Sequence, residues 1–227
     1  NPTLYIPSQT PTEYTTVDGK YLADIKPGSM KDCRAFVNQY KDVQGFEIYG
    51  NQRYEYAYIT DNFKNDIEWH IEDLVIANID IEVGSENGFP EPASASEPVI
   101  SITIKTRNKF VVFGCGTFNN TREDVQYVKC GNEIDLLKTF LDFWCSDYPD
   151  IITGWYVKMF DIPYLINRMR NLLGESYAKR LSPWNHYYER SFIFMGREEK
   201  TYVLSGVALY DYIELYRKFS PHGASQE

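Results

Sequence analysis

The chain has 227 residues, 43% of them hydrophobic and 16% aromatic, enough to bury a substantial core in one large domain or one and a half. No stretch approaches the ~18 consecutive apolar residues of a membrane span, and Asn1-Pro2-Thr3-Leu4-Tyr5 has neither a basic nor an apolar leader region, so the expectation is a cytoplasmic protein with no membrane partner. A net charge of −9 argues against a nucleic-acid binder held by a basic stripe alone, yet leaves room for a nuclease, whose carboxylate site is acidic before it takes up metal.

In chain order, residues 1 to about 30 are rich in Thr, Pro, Gly and Tyr, and the turn signal Val17-Asp18-Gly19-Lys20 between short β-prone runs predicts a hairpin. Ser29 then caps a helical pattern with Phe36, Val37 and Tyr40 on one face, which Gly45 stops. Tyr54 to Thr60 reads as a strand. The polar segment 61–73 closes this small α+β unit, giving an expected division into residues 1–73 and 74–227.

From Leu74 strands and helices alternate. Three runs, through Asp80, Val99-Ile100-Ser101-Ile102-Thr103-Ile104 and Phe110-Val111-Val112-Phe113, read as consecutive antiparallel strands, the first two separated by the loop from Gly84 to Pro92. Asn132 caps a helix with Ile134, Leu137, Phe140, Leu141 and Trp144 on its apolar face, and Ile151 to Trp155 forms a short buried strand. Pro163 stands where a helix can start without losing a hydrogen bond, Leu165, Ile166, Met169 and Leu172 line its inner face, and Gly174 ends it. The fold class is therefore α/β, a mixed sheet flanked by helices. The tail from Ser220 is small and polar and expected to fray. Cys33, Cys115, Cys130 and Cys145 have no paired spacing, so reduced thiols are expected, with neither a zinc site nor a disulfide framework.

Two acids stand out against this pattern. In Leu74-Val75-Ile76-Ala77-Asn78-Ile79-Asp80-Ile81-Glu82-Val83 an apolar strand delivers Asp80 and Glu82 to one face, with Ile81 on the other. Like charges that close call for a positive group between them, and a divalent metal is the usual one. The other Asp-Ile-Glu triplet, Asp66-Ile67-Glu68, lies in a polar stretch where its acids are solvated, so context separates the copies. Asp161 forms a third candidate, between a buried strand and the start of a helix, where the helix dipole alone also favours an acid.

These stretches resemble the 3′→5′ proofreading exonuclease domain of family B DNA polymerases of the T-even bacteriophage type. Asn78-Ile79-Asp80-Ile81-Glu82-Val83, extended by Gly88-Phe89-Pro90-Glu91-Pro92, is similar to the family's first exonuclease motif. Thr153-Gly154-Trp155 with Phe160-Asp161-Ile162-Pro163-Tyr164 is similar to the second. Gly174-Glu175-Ser176, Ala178 to Pro183 and Asp211 to Ser220 follow in register, so the resemblance covers nearly the whole chain.

The resemblance implies an RNase H-like fold with Asp80, Glu82 and Asp161 as metal ligands; a site of two Mg²⁺ or Mn²⁺ ions bridged by Asp80 is the hypothesis for it. It implies a β-hairpin from Phe192 to Val203, turning at Met195-Gly196-Arg197-Glu198, that parts a primer end from its template. Phe89, Tyr156 and Arg197 become nucleic-acid contacts, the 3′ end of single-stranded DNA the substrate, the remainder of the polymerase chain a partner, and an infected bacterial cell the setting. The family's third motif, Tyr-x-x-x-Asp, is absent apart from a coincidental Tyr14 and Asp18, Tyr156 stands where the family usually has Asn, and Lys158-Met159 replaces a small polar and acidic pair. The expectation is a fragment comprising part of the polymerase N-terminal domain and an incomplete exonuclease domain, weak or inactive alone. A non-catalytic segment that binds single strands or docks onto a partner polypeptide is the alternative.

Overall fold

The computed structural model describes residues 1–50, 53–86, 88–107, 109–194 and 196–220, with Phe194 and Arg197 by backbone alone. The expectations placed on Met195, on the side chain of Arg197 and on the tail beyond Ser220 lie outside the described residues. The chain divides into two compact units, Asn1–Trp69 and His70–Glu227.

In the first unit β1 (Leu4–Pro7), β2 (Tyr14–Thr15) and β3 (Tyr21–Ile25) form an antiparallel sheet in the order β1-β3-β2. Gly19 adopts a φ of 81° in the expected turn, where glycine alone is free of steric cost. Helix α1 (Met30–Tyr40) begins at a capping box: the Ser29 hydroxyl accepts from the Asp32 N–H, and the Asp32 carboxylate accepts from the Ser29 N–H at 2.8 Å. It ends at Tyr40, short of Gly45. The stretch expected as a strand from Tyr54 is instead helix α2 (Tyr54–Asn62). Burial explains the correction: Tyr54 and Ala57, three residues apart, face the core with Leu4 and Cys33, while Tyr56 and Tyr58 face solvent, so the β propensity of the tyrosines yields to packing. Asp66, Ile67 and Glu68 are all exposed.

The second unit is built on a six-stranded mixed sheet. Its strands are β4 (Ile76–Val83), β5 (Val99–Thr106), β6 (Lys109–Gly114), β7 (Val125–Lys129), β8 (Ile151–Gly154) and β11 (Ala208–Asp211), in the order β11-β8-β4-β5-β6-β7. Strands β4, β5 and β6 form the expected antiparallel meander, whereas β7 runs parallel to β6, and β8 and β11 run parallel to β4 and β8. Edge strands β7 and β11 are absent from the sequence expectation because neither carries a full apolar run: Val125-Gln126-Tyr127-Val128-Lys129 is nowhere fully buried.

Helix α3 (Glu133–Ser146) packs on β5 and β6, and α4 (Asp161–Leu173) packs on β4. Phe140 of α3 meets Phe113 of β6 edge-on at 5.7 Å between ring centroids and its own neighbour Trp144 at 5.5 Å. Ile134 and Leu172, expected on inner faces, are exposed, and Leu136 and Ile162 take the buried positions. The short helix α5 (Glu175–Lys179) follows α4. A separate two-stranded hairpin, β9 (Tyr187–Phe194) and β10 (Arg197–Leu204), has longer arms than the sequence predicts. Helix α6 (Tyr212–Phe219) follows β11. A mixed sheet flanked by helices is the RNase H-like arrangement. Among the described residues no helix is long and apolar enough to cross a membrane.

The loop joining β4 to β5 is fastened from α4. The Arg168 guanidinium forms a bidentate pair with Glu133 at 2.7 Å and donates to the carbonyls of Ala95 and Ser96, while Glu133 also accepts from the Val99 N–H. Tyr164 Oη donates to the Glu97 carbonyl at 2.7 Å and Asn171 to that of Ser94 at 2.9 Å. Gly154 ends β8 where a Cβ would stand 2.6 Å from the Ile79 carbonyl oxygen and 3.0 Å from Val157 Cβ. Gly154→Ala should therefore push β8 off β4 and cost about 1–3 kcal/mol, read as a lower urea midpoint.

Candidate active site

Asp80 and Glu82 are exposed on β4 and alternate with buried Ile79 and Ile81, as the period of a strand requires. Strand β8 pairs with β4 only from Ile76 to Asn78, and ends at Gly154 while β4 continues to Val83. On that continuing stretch the Ile81 N–H donates to Asp161 Oδ1 at 2.9 Å. The carboxylate thus satisfies a strand amide and brings the first residue of α4 to the backbone between the two β4 acids. The pairing of β4 with β5 shifts register between Glu82 and Val83, an irregularity of the kind that re-aims side chains beside functional sites.

Asp161 is 4% exposed. Burial pushes its carboxyl up to about 7, the Ile81 N–H opposes that rise, and the charges of Asp80 and Asp211 add to it. The structure thus brings Asp161 and Asp80 within electrostatic reach of each other. Among the described residues, however, no group of three or more His, Cys, Asp or Glu side chains is gathered to hold a metal ion. The donor set nevertheless fits a hard divalent cation in kind, since every donor is a carboxylate oxygen.

Asp211 is a residue that sequence reasoning gave no role. It is 1% exposed at the end of β11, and its Oδ1 accepts from the N–H groups of Tyr156 at 2.9 Å and Ile213 at 3.1 Å. Its Oδ2 accepts from the Lys158 N–H at 3.0 Å. One carboxylate therefore caps α6 and fixes the loop leading to Asp161. The signal available in the sequence was an acid closing Ala208-Leu209-Tyr210-Asp211 directly before a helical pattern. Tyr156, in that loop, adopts a φ of 62°, a region in which Asn is several-fold enriched and a bulky side chain is strained.

Beside the acids lies a groove of about 560 Å³ lined by Phe89, Pro92, Tyr156, Phe160, Asn167 and Tyr202 among others. None of the three acids lines it, although Phe160 immediately precedes Asp161. Phe89 is 83% exposed, with its ring centroid 5.6 Å from that of Phe160, which in turn stacks on Tyr164 at 5.5 Å. Glu91, Glu189, Glu198 and Glu199 also line the groove, against Arg170 and Lys200.

Residues 21–225 match the model of the DNA polymerase family B exonuclease domain. The chain belongs to that family. It is 32% identical over 243 aligned residues to the DNA-directed DNA polymerase of Escherichia phage RB69, covering 95% of this chain and 27% of that protein. To the DNA-directed DNA polymerase of Enterobacteria phage T4 it is 29% identical over 246 residues, covering 96% of this chain and again 27% of the relative. The DNA polymerase delta catalytic subunit of Dictyostelium discoideum is 33% identical over 114 residues, 45% of this chain and 10% of that one. The chain thus spans about a quarter of the length of its two phage relatives.

Two tests follow for this family B exonuclease domain. Below about pH 4 Asp161 is protonated in both folded and unfolded chains, so its contribution to stability is fully present there. As pH rises through the folded value of about 7 that contribution is lost, because burial opposes ionisation. Asp161→Asn keeps a carbonyl oxygen for Ile81 and removes the charge. In chelator its stability relative to the parent should climb between pH 4 and 7, by on the order of 4 kcal/mol, and then level off, as followed by urea denaturation. Tyr156→Asn should raise the melting midpoint by relieving left-handed strain, an effect of about 1 kcal/mol.

Proposed function

We propose that this chain is the proofreading exonuclease part of a viral replicative DNA polymerase, which hydrolyses phosphodiester bonds at the 3′ end of single-stranded DNA. The observation that carries this reading is the Asp161 carboxylate, buried and bonded to the strand amide between Asp80 and Glu82, in a chain of the family B exonuclease type. Residues 1–73 would belong to the polymerase N-terminal domain and 74–227 to the exonuclease domain.

Asp80, Glu82 and Asp161 would hold Mg²⁺ or Mn²⁺. When bound, such ions supply a hydroxide-like nucleophile at neutral pH and neutralise the leaving 3′-oxygen. The chain's own residues do the rest. Asp161 links α4 to β4 at fixed height through Ile81, so the acids from two distant segments cannot slide past each other. Asp211 holds the approach to Asp161 by its hydrogen bonds to the amides of Tyr156 and Lys158. Phe89, exposed on its loop, offers a ring on which any terminal base can stack, and Tyr156 stands at the same groove. Arg197 is the third nucleic-acid contact of this reading. The polypeptide corresponding to the rest of the relatives would be the partner that completes catalysis, inside the cytoplasm of an infected bacterium, and the chain alone would be weak or inactive.

That no group of three or more acids is gathered to hold a metal ion among the described residues favours a second reading, a module that binds single strands without cutting them. A 5′-labelled single-stranded oligonucleotide in Mn²⁺ separates the two. Stepwise shortening from the 3′ end, lost in chelator and with Asp80→Ala, is the result expected for the nuclease, with the chain alone or after mixing with the downstream polymerase polypeptide. Retention of the oligonucleotide at full length under both conditions would leave the binding module. Mn²⁺ should also raise the melting midpoint of the parent chain and leave that of Asp80→Ala unchanged.

A further inference from the structure

The groove beside the acids has two walls that come from separate parts of the chain. One is the loop after β4, carrying Phe89, Glu91 and Pro92; the other is the hairpin arm β10, carrying Glu199, Lys200 and Tyr202. Asn167 of α4 stands between them, 9% exposed. Its Nδ2 donates to the Pro92 carbonyl at 2.9 Å. Its Oδ1 accepts from Tyr202 Oη at 3.0 Å and from Arg170 Nη1 at 3.2 Å. The orientation of the amide is fixed by chemistry, because a carbonyl can only accept and a guanidinium can only donate.

We propose that Asn167 is a positioning residue that couples the two walls, setting the spacing between the loop that bears Phe89 and the hairpin. This rests on the reading of the groove as a single-strand site. A strand held there would press on both walls at once, and a shift of β10 would reach the loop through one buried amide. The arrangement is local. The loop keeps its other ties to α4, from Tyr164, Arg168 and Asn171, and β10 keeps Thr201 Oγ1 on the Lys158 carbonyl at 2.6 Å. Loss of the Asn167 link therefore leaves both walls attached and removes their mutual alignment.

The neighbouring side chains support this division of labour. Tyr164, Asn167, Arg168 and Asn171 recur at helical spacing, so one edge of α4 serves the loop throughout. Of these four, Asn167 also bonds the hairpin, through Tyr202. Arg170 reinforces the same corner, with its Nε 3.0 Å from Glu175.

The test uses Tyr202→Phe, which deletes a hydroxyl on the hairpin and touches nothing in the loop, together with Asn167→Ala and the double variant. Hydrogen exchange is followed in the loop, where the Ala95 N–H donates to the Glu91 carbonyl, and the affinity for oligothymidylate is measured in Ca²⁺. Tyr202→Phe should speed exchange in the loop about fivefold, the change that loss of one hydrogen bond implies, and the double variant should match Asn167→Ala alone. Loop exchange unchanged by Tyr202→Phe, or effects that simply add, would overturn the coupling. If Asn167→Ala does not fold, Tyr202→Phe alone still decides. Absence of oligothymidylate binding by the parent chain would overturn the single-strand reading of the groove, while the exchange data would judge the coupling by themselves.

Discussion

The geometry of the site depends on one hydrogen bond, from the Ile81 N–H to Asp161 Oδ1. It exists because two neighbouring strands differ in length. β8 has four residues and β4 has eight, so part of β4 lacks a strand partner on the β8 side, and its backbone still requires acceptors. A side chain at the start of the next helix supplies one. The same shortness lets the chain leave the sheet at Gly154, pass the aromatic shelf of the groove, and enter α4 with its first residue aimed back at β4. The cost is a carboxyl shut away from water beside another acid, whose ionised form burial and that neighbour disfavour and a cation would stabilise.

Around that bond the structure places a second buried acid with a different task. Three backbone N–H groups donate to the two carboxylate oxygens of Asp211. The pair illustrates how two aspartates of similar burial diverge. Asp211 is surrounded by donors, whereas Asp161 has one strand N–H and lies close to Asp80. The first ties backbone segments together, and burial with a neighbouring acid holds the second carboxyl well above the usual carboxylate range.

Much of this was legible in the sequence. The apolar run ending in Asp80 and Glu82, the capping residues Ser29 and Asn132, and the glycine ending α4 each carry a local physical signal, and the structure places an element at each. The misses share a cause. Helix α2 has tyrosines that favour strands in isolation and become helical through burial of Tyr54 and Ala57. Strands β7 and β11 exist because they add to a sheet edge already formed, a long-range condition that no local window contains. In the candidate site the acids were readable one by one, but the link from Asp161 to Ile81 spans 80 residues and had no trace in spacing. Nor did the left-handed backbone at Tyr156, since nothing in its neighbours demands a positive φ.

The reach of Asp211 also bears on the order in which the molecule is made. It leaves the ribosome 53 to 55 residues after the amides of Lys158 and Tyr156 that it fixes. Until then those N–H groups have only water to bind, and β8 has no neighbour on its outer side. A nascent chain that has already synthesised every acid of the candidate site thus still holds the second motif loosely, and that part of the molecule locks only when translation has passed β11.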